Sequence, residues 1–225
     1  MLKEYKSMTQ EEMYTLVHEI YIEGCMENAR EKYPDATDLT TAIQQEEDSF
    51  VCFLQDFFTL PENTYYVLEK DNMPVSAARL SKINDFYYLE ALETPPQYRK
   101  KGYASELLNE MITHLHQQSS VDIRDCVSKT NTASLATHKK CGFFIAEENG
   151  IYYPSNTVNN KTYGNAVFYP IKPANPHNNT MTPRMIRYHP NTLKSCFLIY
   201  SIKNLITTSD TANATTIPTT RITPS

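Results

Sequence analysis

The strongest constraint on the fold is a segment in the middle of the chain, where a strand pattern changes into a helix pattern across one glycine. Residues 86–92 are strongly apolar and aromatic, and Pro95-Pro96 follow shortly after them. The prolines end the strand because proline has no N–H to donate. After Gly102 an apolar stripe at helical spacing begins, formed by Ala104, Leu107, Leu108, Met111, Ile112 and Leu115. The segment therefore predicts a strand, a turn and an amphipathic helix over 103–117.

The turn between this strand and this helix has the composition of an anion-binding site. Its sequence is Pro96-Gln-Tyr-Arg99-Lys-Lys-Gly102-Tyr-Ala104. A turn that leads into a helix N-terminus aims several backbone N–H groups at one point, and the helix dipole adds partial positive charge there. Gly102 allows a close approach of the backbone, and the three basic residues before it add charge. The pattern predicts binding of an anion such as a pyrophosphate; the alternative is a basic helix start that faces solvent.

The residues before this segment predict two helices and two further strands. The capping box Thr9-Gln-Glu-Glu12 precedes apolar residues at helical spacing, which predicts a first helix over 9–29. A second helix is predicted from Ile43 to Phe58, so two helices are expected before any strand. Turn-prone residues then separate three strands of an antiparallel meander, at 65–69, 75–80 and 86–92.

The residues after the amphipathic helix predict a strand, a helix and two more strands. They cover 121–127, 131–141, 143–146 and 165–171, and Gly142 ends the helix in a left-handed conformation. Because a helix connects the third meander strand to the strand at 121–127, these two strands are expected to be parallel. The predicted fold class is α/β of the mixed α+β kind, with a central, mostly antiparallel mixed sheet flanked by helices.

Charge and composition divide the chain into two parts. The 21 Lys and Arg against 26 Asp and Glu give a net charge of −5, which argues against a surface built to bind nucleic acid. Residues 1–171 hold 15 basic and 25 acidic residues, whereas the remainder holds six basic residues and a single acidic one, Asp210. Residues 173–225 lack glycine and are rich in Thr, Asn and Pro, a composition typical of disorder. We expect one domain over 1–172 and a basic, disordered tail over 173–225.

The spacing of cysteine and histidine indicates neither a disulfide scaffold nor a metal site. The five cysteines are scattered, so free thiols in a reducing compartment are expected. His114 and His116 are two residues apart on a helix and point in different directions, so no metal is expected. The N-terminus lacks the apolar stretch of a signal peptide, and no stretch has the length of a membrane span. These features predict a cytoplasmic protein without a membrane partner.

Two motifs resemble those of the GNAT N-acetyltransferase superfamily. Arg99-x-x-Gly102-x-Ala104 resembles the family's (Gln/Arg)-x-x-Gly-x-(Gly/Ala) acyl-CoA motif, and it follows the third meander strand as it does there. Downstream, Asn131-x-x-Ser134-x-x-Thr137-His138-x-x-x-Gly142-Phe143 is similar to the family's Asn-x-x-Ala-x-x-x-Tyr-x-x-x-Gly-Phe segment, except that His138 replaces Tyr. The resemblance covers residues 60–171, while the two opening helices match the family's variable substrate side.

This resemblance implies a set of cofactor contacts. In that family the strand before the motif splays away from its neighbour, and the pantetheine arm of the cofactor pairs with the exposed backbone. The resemblance assigns pantetheine contacts to Leu92 and Thr94 and pyrophosphate contacts to the turn. The turn residues are Arg99, Lys100, Lys101, Gly102, Tyr103 and Ala104. Asn131 is expected to contact the cofactor, to cap its helix, or to do both.

The resemblance also implies acyl transfer, which needs a base and an acid. An alkyl amine titrates near pH ~10 and must lose a proton before or during attack on a thioester. Glu90 is the candidate base because family members often carry a carboxylate at this point of the strand. The alternative interpretation is that Glu90 is a solvated carboxylate on a half-exposed strand. Glu93 is a weaker candidate for the base. His138 is the candidate acid for the leaving thiolate, with a plain surface position on its helix as the alternative.

Together these features predict an enzyme that moves an acetyl group from acetyl-CoA to a primary amine of a small molecule or peptide by direct attack. The acidic surplus of residues 1–171 favours a cationic amine as acceptor. The protein is expected to act as a monomer or homodimer and without a metal. The alternative is a non-catalytic acyl-CoA-binding or protein-interaction module on the same fold, in which His138 marks lost chemistry.

Overall fold

The structure, a computed structural model, describes residues 1–170, in which a short first strand is followed by three helices, three strands, a helix, a strand, a helix and four strands. The strands are β1 (Leu2–Tyr5), β2 (Asn63–Lys70), β3 (Met73–Ile83), β4 (Phe86–Glu93), β5 (Val121–Ser128), β6 (Phe144–Glu147), β7 (Gly150–Tyr152), β8 (Thr157–Asn159) and β9 (Thr162–Tyr169). The helices are α1 (Gln10–Leu16), α2 (Ile22–Lys32), α3 (Thr40–Phe57), α4 (Tyr103–His116) and α5 (Thr132–Lys140), with a π-helical turn at Val17–Tyr21 and a 3-10 turn at Pro96–Tyr98. None of the helices in this range is both long enough and apolar enough to cross a bilayer.

Seven of the strands form one sheet, in the order β1-β2-β3-β4-β5-β9-β6, and β7 and β8 form a separate hairpin. The strands β1 to β4 are antiparallel neighbours, β4 and β5 are parallel, and β5, β9 and β6 are again antiparallel. The parallel step is made by α4, which crosses from β4 to β5. The mixed α/β fold predicted from the sequence is therefore confirmed.

Alternation of side chains along the strands gives the sheet an apolar core on each face. On β2, Tyr66 and Leu68 belong to the core under α4, while Tyr65 and Val67 belong to the core under the N-terminal helices. Five of the six residues of the predicted apolar stripe are buried, namely Leu107, Leu108, Met111, Ile112 and Leu115, and the sixth, Ala104, is half-buried. The opposite core contains aromatic side chains of α3, and the Phe57 ring centroid lies 5.9 Å from that of Tyr65. The candidate base Glu90 lies on this second face, whereas Leu92 packs against the core under α4.

The first predicted helix is present but is interrupted by the π-helical turn at Val17–Tyr21. Its predicted capping box is confirmed, because the Glu12 N–H donates to the Thr9 hydroxyl and the Thr9 N–H donates to the Glu12 carboxylate. A π-helical turn holds one more residue than an α-helical turn. The buried face therefore continues at Cys25 and Ala29, one position later than an uninterrupted α-helix would place it. Apolar spacing predicts the helix but not the inserted residue.

Two features of the element order differ from the sequence predictions. The prediction that two helices precede any strand is wrong, because β1 comes first and pairs with β2 from Leu2↔Leu68 to Tyr5↔Tyr65. β1 has four residues and a partner that is distant in the sequence, so no local pattern indicates it. The β7–β8 hairpin is also missed, since strands of three residues are too short for a periodic signal. The predicted domain boundary at 172/173 and the tail lie outside the described residues.

A buried pair of ionisable side chains attaches α5 to the sheet. His138 is 3% exposed, and its Nε2 lies 2.5 Å from Oδ2 of Asp125 on β5. The other ring nitrogen, Nδ1, lies 2.8 Å from the Ser134 carbonyl one turn earlier in α5. Burial disfavours a charge on this ring, but the Asp125 carboxylate and the Ser134 carbonyl outweigh burial and raise the pKa of His138 above its usual value. The pair therefore favours a protonated imidazole ring in the folded protein.

We predict that this pair makes folding stability depend on pH where histidine titrates. Because the pKa of His138 is raised in the folded state, its contribution is fully present below the unfolded pKa of about 6.5 and is lost as the pH rises through the folded pKa. Thermal unfolding followed by circular dichroism should show a melting temperature that falls across this window.

The matched variants for this prediction are His138→Gln and His18→Gln. His138→Gln should flatten the pH dependence of the melting temperature. His18→Gln removes an exposed histidine from another helical segment and should leave that pH dependence unchanged. A fall of the melting temperature with pH that is equally steep in His138→Gln would contradict the prediction.

Candidate functional site

The parallel strands β4 and β5 pair over two positions and then diverge. Their register consists of Tyr87↔Ile123 and Tyr88↔Arg124. Beyond these positions β4 continues along β3 only, and β5 continues along β9 only. The facing edges of β4 and β5 are thus left without a strand partner among the described residues. This divergence is the splay of β4 that the resemblance implies.

β4 contains a bulge at the point where it leaves β5. Glu90 pairs with Arg79 and Glu93 pairs with Ala77, so three steps along β4 face two steps along β3. Ala91 lies in this bulge with a φ of +51°, in the left-handed region that residues other than glycine rarely adopt. The bulge therefore changes the direction of the β4 backbone just before Leu92, the first predicted pantetheine contact.

Thr94, the second predicted pantetheine contact, is bonded within the protein. Its N–H donates to the Glu93 carboxylate and its hydroxyl donates to the Ser76 hydroxyl, both at 2.9 Å. Its carbonyl accepts from the Arg99 Nε at 2.9 Å. A pantetheine arm would have to share or replace these bonds, whereas Leu92 packs partly buried against the α4 core. Contact of either residue with a cofactor stays a prediction.

The turn between β4 and α4 presents a row of free backbone donors. Lys100 and Gly102 have positive φ values of +62° and +86°, and Gly102 is the N-cap of α4. Within the described range, the N–H groups of residues 100–105 have no hydrogen-bond partner. A Cβ placed on Gly102 would have no heavy atom within 4 Å, so the space in front of the turn is open. Free donors at the positive end of a helix dipole, next to open space, can bind an anion.

Arg99 uses both its backbone and its side chain inside the protein. The guanidinium lies 3.1 Å from the Glu93 carboxylate and also pairs with Glu23 of α2. The Arg99 N–H donates to the Pro96 carbonyl. Its predicted part in binding a diphosphate would require these bonds to open. In the structure Arg99 instead connects the turn to α2.

The other predicted residues of the turn differ in exposure. Lys100 and Lys101 are exposed, and the Lys101 Nζ lies 5.3 Å from the centroid of the Tyr98 ring. Tyr103 packs with its edge against the same ring, and Ala104 is half-buried in the first turn of α4. The two lysines are therefore exposed positive side chains beside the free N–H groups, as is the ion-paired Arg99.

Glu90, the candidate base, lies on the sheet face covered by the N-terminal helices and forms an ion pair with Arg79 at 3.2 Å. Arg79 is 8% exposed, and its guanidinium carbon lies 4.6 Å from the centroid of the Phe53 ring. Burial works against the charge on Arg79, but the Glu90 carboxylate outweighs it and raises the pKa of Arg79. With a side chain that is 16% exposed, Glu90 is a largely buried carboxylate with one fixed cationic partner.

Arg79 is a residue of the site that the sequence analysis misses. A signal for it exists, because the tight turn at Asn84-Asp85 pairs Ile83 with Phe86. Counting back along both strands from that pair places Arg79 opposite Glu90. The weaker candidate base, Glu93, is held by the Arg99 guanidinium and by the Thr94 N–H.

The two predicted residues of α5 have clear structural roles. The Asn131 Oδ1 accepts from the Ser134 N–H at 3.0 Å, which confirms the helix cap and leaves the cofactor contact as a prediction. His138 is buried, so its alternative interpretation as a surface residue is wrong. Both of its ring nitrogens have partners, Asp125 and the Ser134 carbonyl. Its action as an acid stays a prediction that requires one of these contacts to open.

Aromatic side chains gather near Glu90 on the same face of the sheet. The Tyr88 ring centroid lies 5.9 Å from that of Tyr152 and 5.5 Å from that of Tyr153. Burial raises the pKa of Tyr152 to about 12, and the negative charge of Glu90 adds to the shift. Tyr87 packs against the opposite core, under α4. Tyr88, Tyr152 and Tyr153 therefore form one aromatic cluster, and Tyr87 is not part of it.

The thiol and carboxylate groups do not assemble into a metal-binding cluster in the described range. Its four cysteines are free thiols. No three His, Cys, Asp or Glu side chains between residues 1 and 170 come close enough together to hold a metal ion.

The fold is similar to that of two acetyltransferases with solved structures, while no curated protein matches the chain significantly in sequence. One is the PaiA N-acetyltransferase from Thermoplasma acidophilum in complex with coenzyme A, with a TM-score of 0.51 and 14% identity over 75% of this chain and 99% of that chain. The other is RimL, a ribosomal alpha-N-protein acetyltransferase in complex with coenzyme A, with a TM-score of 0.52 and 13% identity over 76% of this chain and 96% of that chain. At such identities the similarity is one of fold.

The family comparison covers the region that holds the candidate site. Residues 22–143 match the Acetyltransferase (GNAT) family. This range is more than half of the chain, and it contains the bulge of β4, the turn with its free N–H groups, and α5. The chain therefore belongs to the GNAT acetyltransferase family.

Proposed function

We propose that this protein is an N-acetyltransferase that moves an acetyl group from acetyl-CoA to a primary amine by direct attack. The observation that carries the proposal is the row of N–H groups at residues 100–105, which lack partners in the described range and face open space at the start of α4. The diphosphate of coenzyme A has several anionic oxygens, and these donors can bind them without breaking an internal bond. Membership of the GNAT family supports the same assignment.

The divergence of β4 and β5 supports binding of an extended arm beside the diphosphate. Unpaired strand edges offer N–H and C=O groups with which an amide-containing chain can pair, as an added strand does. Leu92 is the residue of β4 that we assign to this pairing, because the backbone groups of Thr94 already have partners. The end of β4 leads through the 3-10 turn to Gly102, so one ligand can contact both features.

Glu90 is proposed as the group that takes a proton from the attacking amine. Its carboxylate lies on the same face as Tyr88 and Tyr152 and directly before the bulge at Ala91. The ion pair with Arg79 fixes the carboxylate, and a carboxylate has enough lone pairs to accept a proton while it keeps one such partner. A fixed base beside a bound thioester meets the positional demand of acyl transfer.

Protonation of the leaving thiolate by His138 has less support than the role of Glu90. The ring is buried and both nitrogens have partners, so proton transfer would require the Asp125 pair to open. This observation favours the second candidate function, a non-catalytic acyl-CoA-binding module that lacks the acid. Thiol release over a library of amines separates the two functions, because such a module binds acetyl-CoA without turnover.

The acceptor is proposed to be a cationic amine of a small molecule or a peptide. The acidic surplus of residues 1–171 attracts cations, and the cluster of Tyr88, Tyr152 and Tyr153 offers aromatic surfaces that favour them. RimL, which is named as an alpha-N-protein acetyltransferase, is an example of the same fold with an amine acceptor.

The full-length chain should bind acetyl-CoA in isothermal titration calorimetry. Its melting temperature should rise with ligand concentration, because a ligand that binds only the folded state stabilises it. Pantetheine, which lacks the diphosphate, should bind more weakly. A lack of detectable binding at millimolar acetyl-CoA would reject the proposed function.

Gly102→Ala should weaken acetyl-CoA binding by roughly tenfold or more, which corresponds to about 1.4 kcal/mol. The new Cβ would project into the open space in front of the turn, and the φ of +86° disfavours any residue with a side chain. Gly142→Ala is the control for strain away from the turn, because Gly142 has a φ of +88° and a Cβ added there would lie 2.9 Å from the Tyr169 hydroxyl on β9. Equal losses of affinity in both variants would argue against diphosphate binding at the turn.

Glu90→Gln should lower kcat by about 100-fold or more while acetyl-CoA affinity stays unchanged, because an amide cannot accept the proton of the amine. Thiol release measures kcat, and calorimetry and the melting temperature show whether the unpaired Arg79 has disturbed the fold. Glu147→Gln, which changes an exposed carboxylate on β6, should behave as wild type. Wild-type turnover in a folded Glu90→Gln variant would remove Glu90 from the reaction.

A further inference from the structure

The π-helical turn at Val17–Tyr21 lies against the bulge of β4. The hydroxyl of Tyr21, the last residue of this turn, donates to the Ala91 carbonyl at 2.8 Å. The hydroxyl of Tyr65 on β2 donates in turn to the Tyr21 oxygen, also at 2.8 Å. The two phenols form a chain of hydrogen bonds that ends on the backbone of the bulge, and each bond in such a chain polarises the next.

Both phenols are buried and stay protonated. Tyr21 is 9% exposed and Tyr65 is 0% exposed. Burial raises the pKa of Tyr65 to about 12 and raises the pKa of Tyr21 well above its usual value. The hydroxyls therefore remain hydrogen-bond donors throughout the pH range in which an amine acetyltransferase works.

The bond from Tyr21 fixes the orientation of one peptide group. Ala91 holds a left-handed φ of +51°, and such a conformation persists in a residue with a side chain only where the surroundings hold it. Because a peptide group is planar, the direction of the Ala91 carbonyl also sets the direction of the Leu92 N–H. Leu92 is the residue that the proposed function assigns to the acyl-CoA arm.

We propose that Tyr21 is a positioning residue for acyl transfer. Its hydroxyl, supported by Tyr65, holds the 91–92 peptide in the orientation that places the acyl-CoA arm correctly relative to Glu90. This inference rests on the proposed acetyl-CoA site. Glu90 directly precedes the bulge, so a rotation of the 91–92 peptide changes the geometry between the base and the backbone that binds the acyl group.

A second contact links the same helical segment to the other end of the acyl-binding region. Glu23, two residues after Tyr21, pairs with Arg99 of the turn. Arg99 in turn bonds the Thr94 carbonyl and the Glu93 carboxylate at the end of β4. Residues 21–23 thus contact both the bulge and the turn, so the position of this helix and the shape of the acyl-CoA site are set together.

Steady-state kinetics of Tyr21→Phe in the full-length chain tests the proposal. Loss of the hydroxyl leaves the Ala91 carbonyl without this donor, and we expect kcat to fall roughly three- to tenfold. The KM for acetyl-CoA should stay within about twofold of wild type, because the turn at Gly102 is unchanged. Tyr65→Phe should give a smaller fall, and no further fall when combined with Tyr21→Phe, because Tyr65 acts through Tyr21.

Tyr14→Phe is the matched control. It removes a phenol from the same N-terminal helical segment, where the Tyr14 hydroxyl donates to exposed Asp48 at 2.9 Å and not to β4. Its kcat should equal that of wild type. An unchanged kcat in Tyr21→Phe, even with a lower melting temperature, would overturn the proposal, as would independent effects of the Tyr21 and Tyr65 variants. A wild-type chain without acetyl-CoA binding or turnover would instead overturn the proposed function.

Discussion

The need of backbone groups for hydrogen-bond partners shapes the site more than any side chain does. β4 and β5 share two paired positions and are then held apart, each by its other neighbour, β3 and β9. The resulting gap ends beside the first turn of α4, whose N–H groups at residues 103–105 cannot find partners within the helix. Unpartnered groups of this kind are costly unless water or a ligand reaches them. The fold thus places unmet hydrogen-bonding capacity at this gap and turn, and a long ligand with an anionic end and an amide-containing arm matches that capacity.

The sequence predicts the parts of the fold whose information is local. The amphipathic stripe of α4, the capping box at Thr9 and the three meander strands each follow from a pattern within a few residues, and all are present. The parallel pairing of β4 and β5 follows from the helical crossover between them. β1 could not be predicted in this way, because its stability comes from Tyr65 and its neighbours on β2, far along the chain. The π-helical turn is also hidden, since apolar spacing tolerates one extra residue.

For the candidate site, the sequence predicts the backbone better than the side chains. The left-handed Gly102 and the splay of β4 both agree with the motifs. The partners of individual side chains depend on packing between distant elements, which no local pattern in the sequence indicates. Arg99 contacts Glu23 of α2, and His138 is buried against Asp125. A basic residue beside a phosphate motif can serve the fold instead of the ligand, and only the three-dimensional contacts distinguish the two uses.

The π-helical turn lets the N-terminal segment hold one extra residue without turning its two halves against each other. An α-helix rotates by about 100° per residue, so the same residues wound as one continuous α-helix would turn Cys25 and Ala29 away from the core that Met13 and Leu16 face. Removal of one residue between Leu16 and Ile22 would keep both halves on the core face but would replace the wide turn that ends at Tyr21, the residue bonded to Ala91. A change of one residue in this segment, far from the acyl-binding motif, can therefore alter the contact with the bulge without altering that motif.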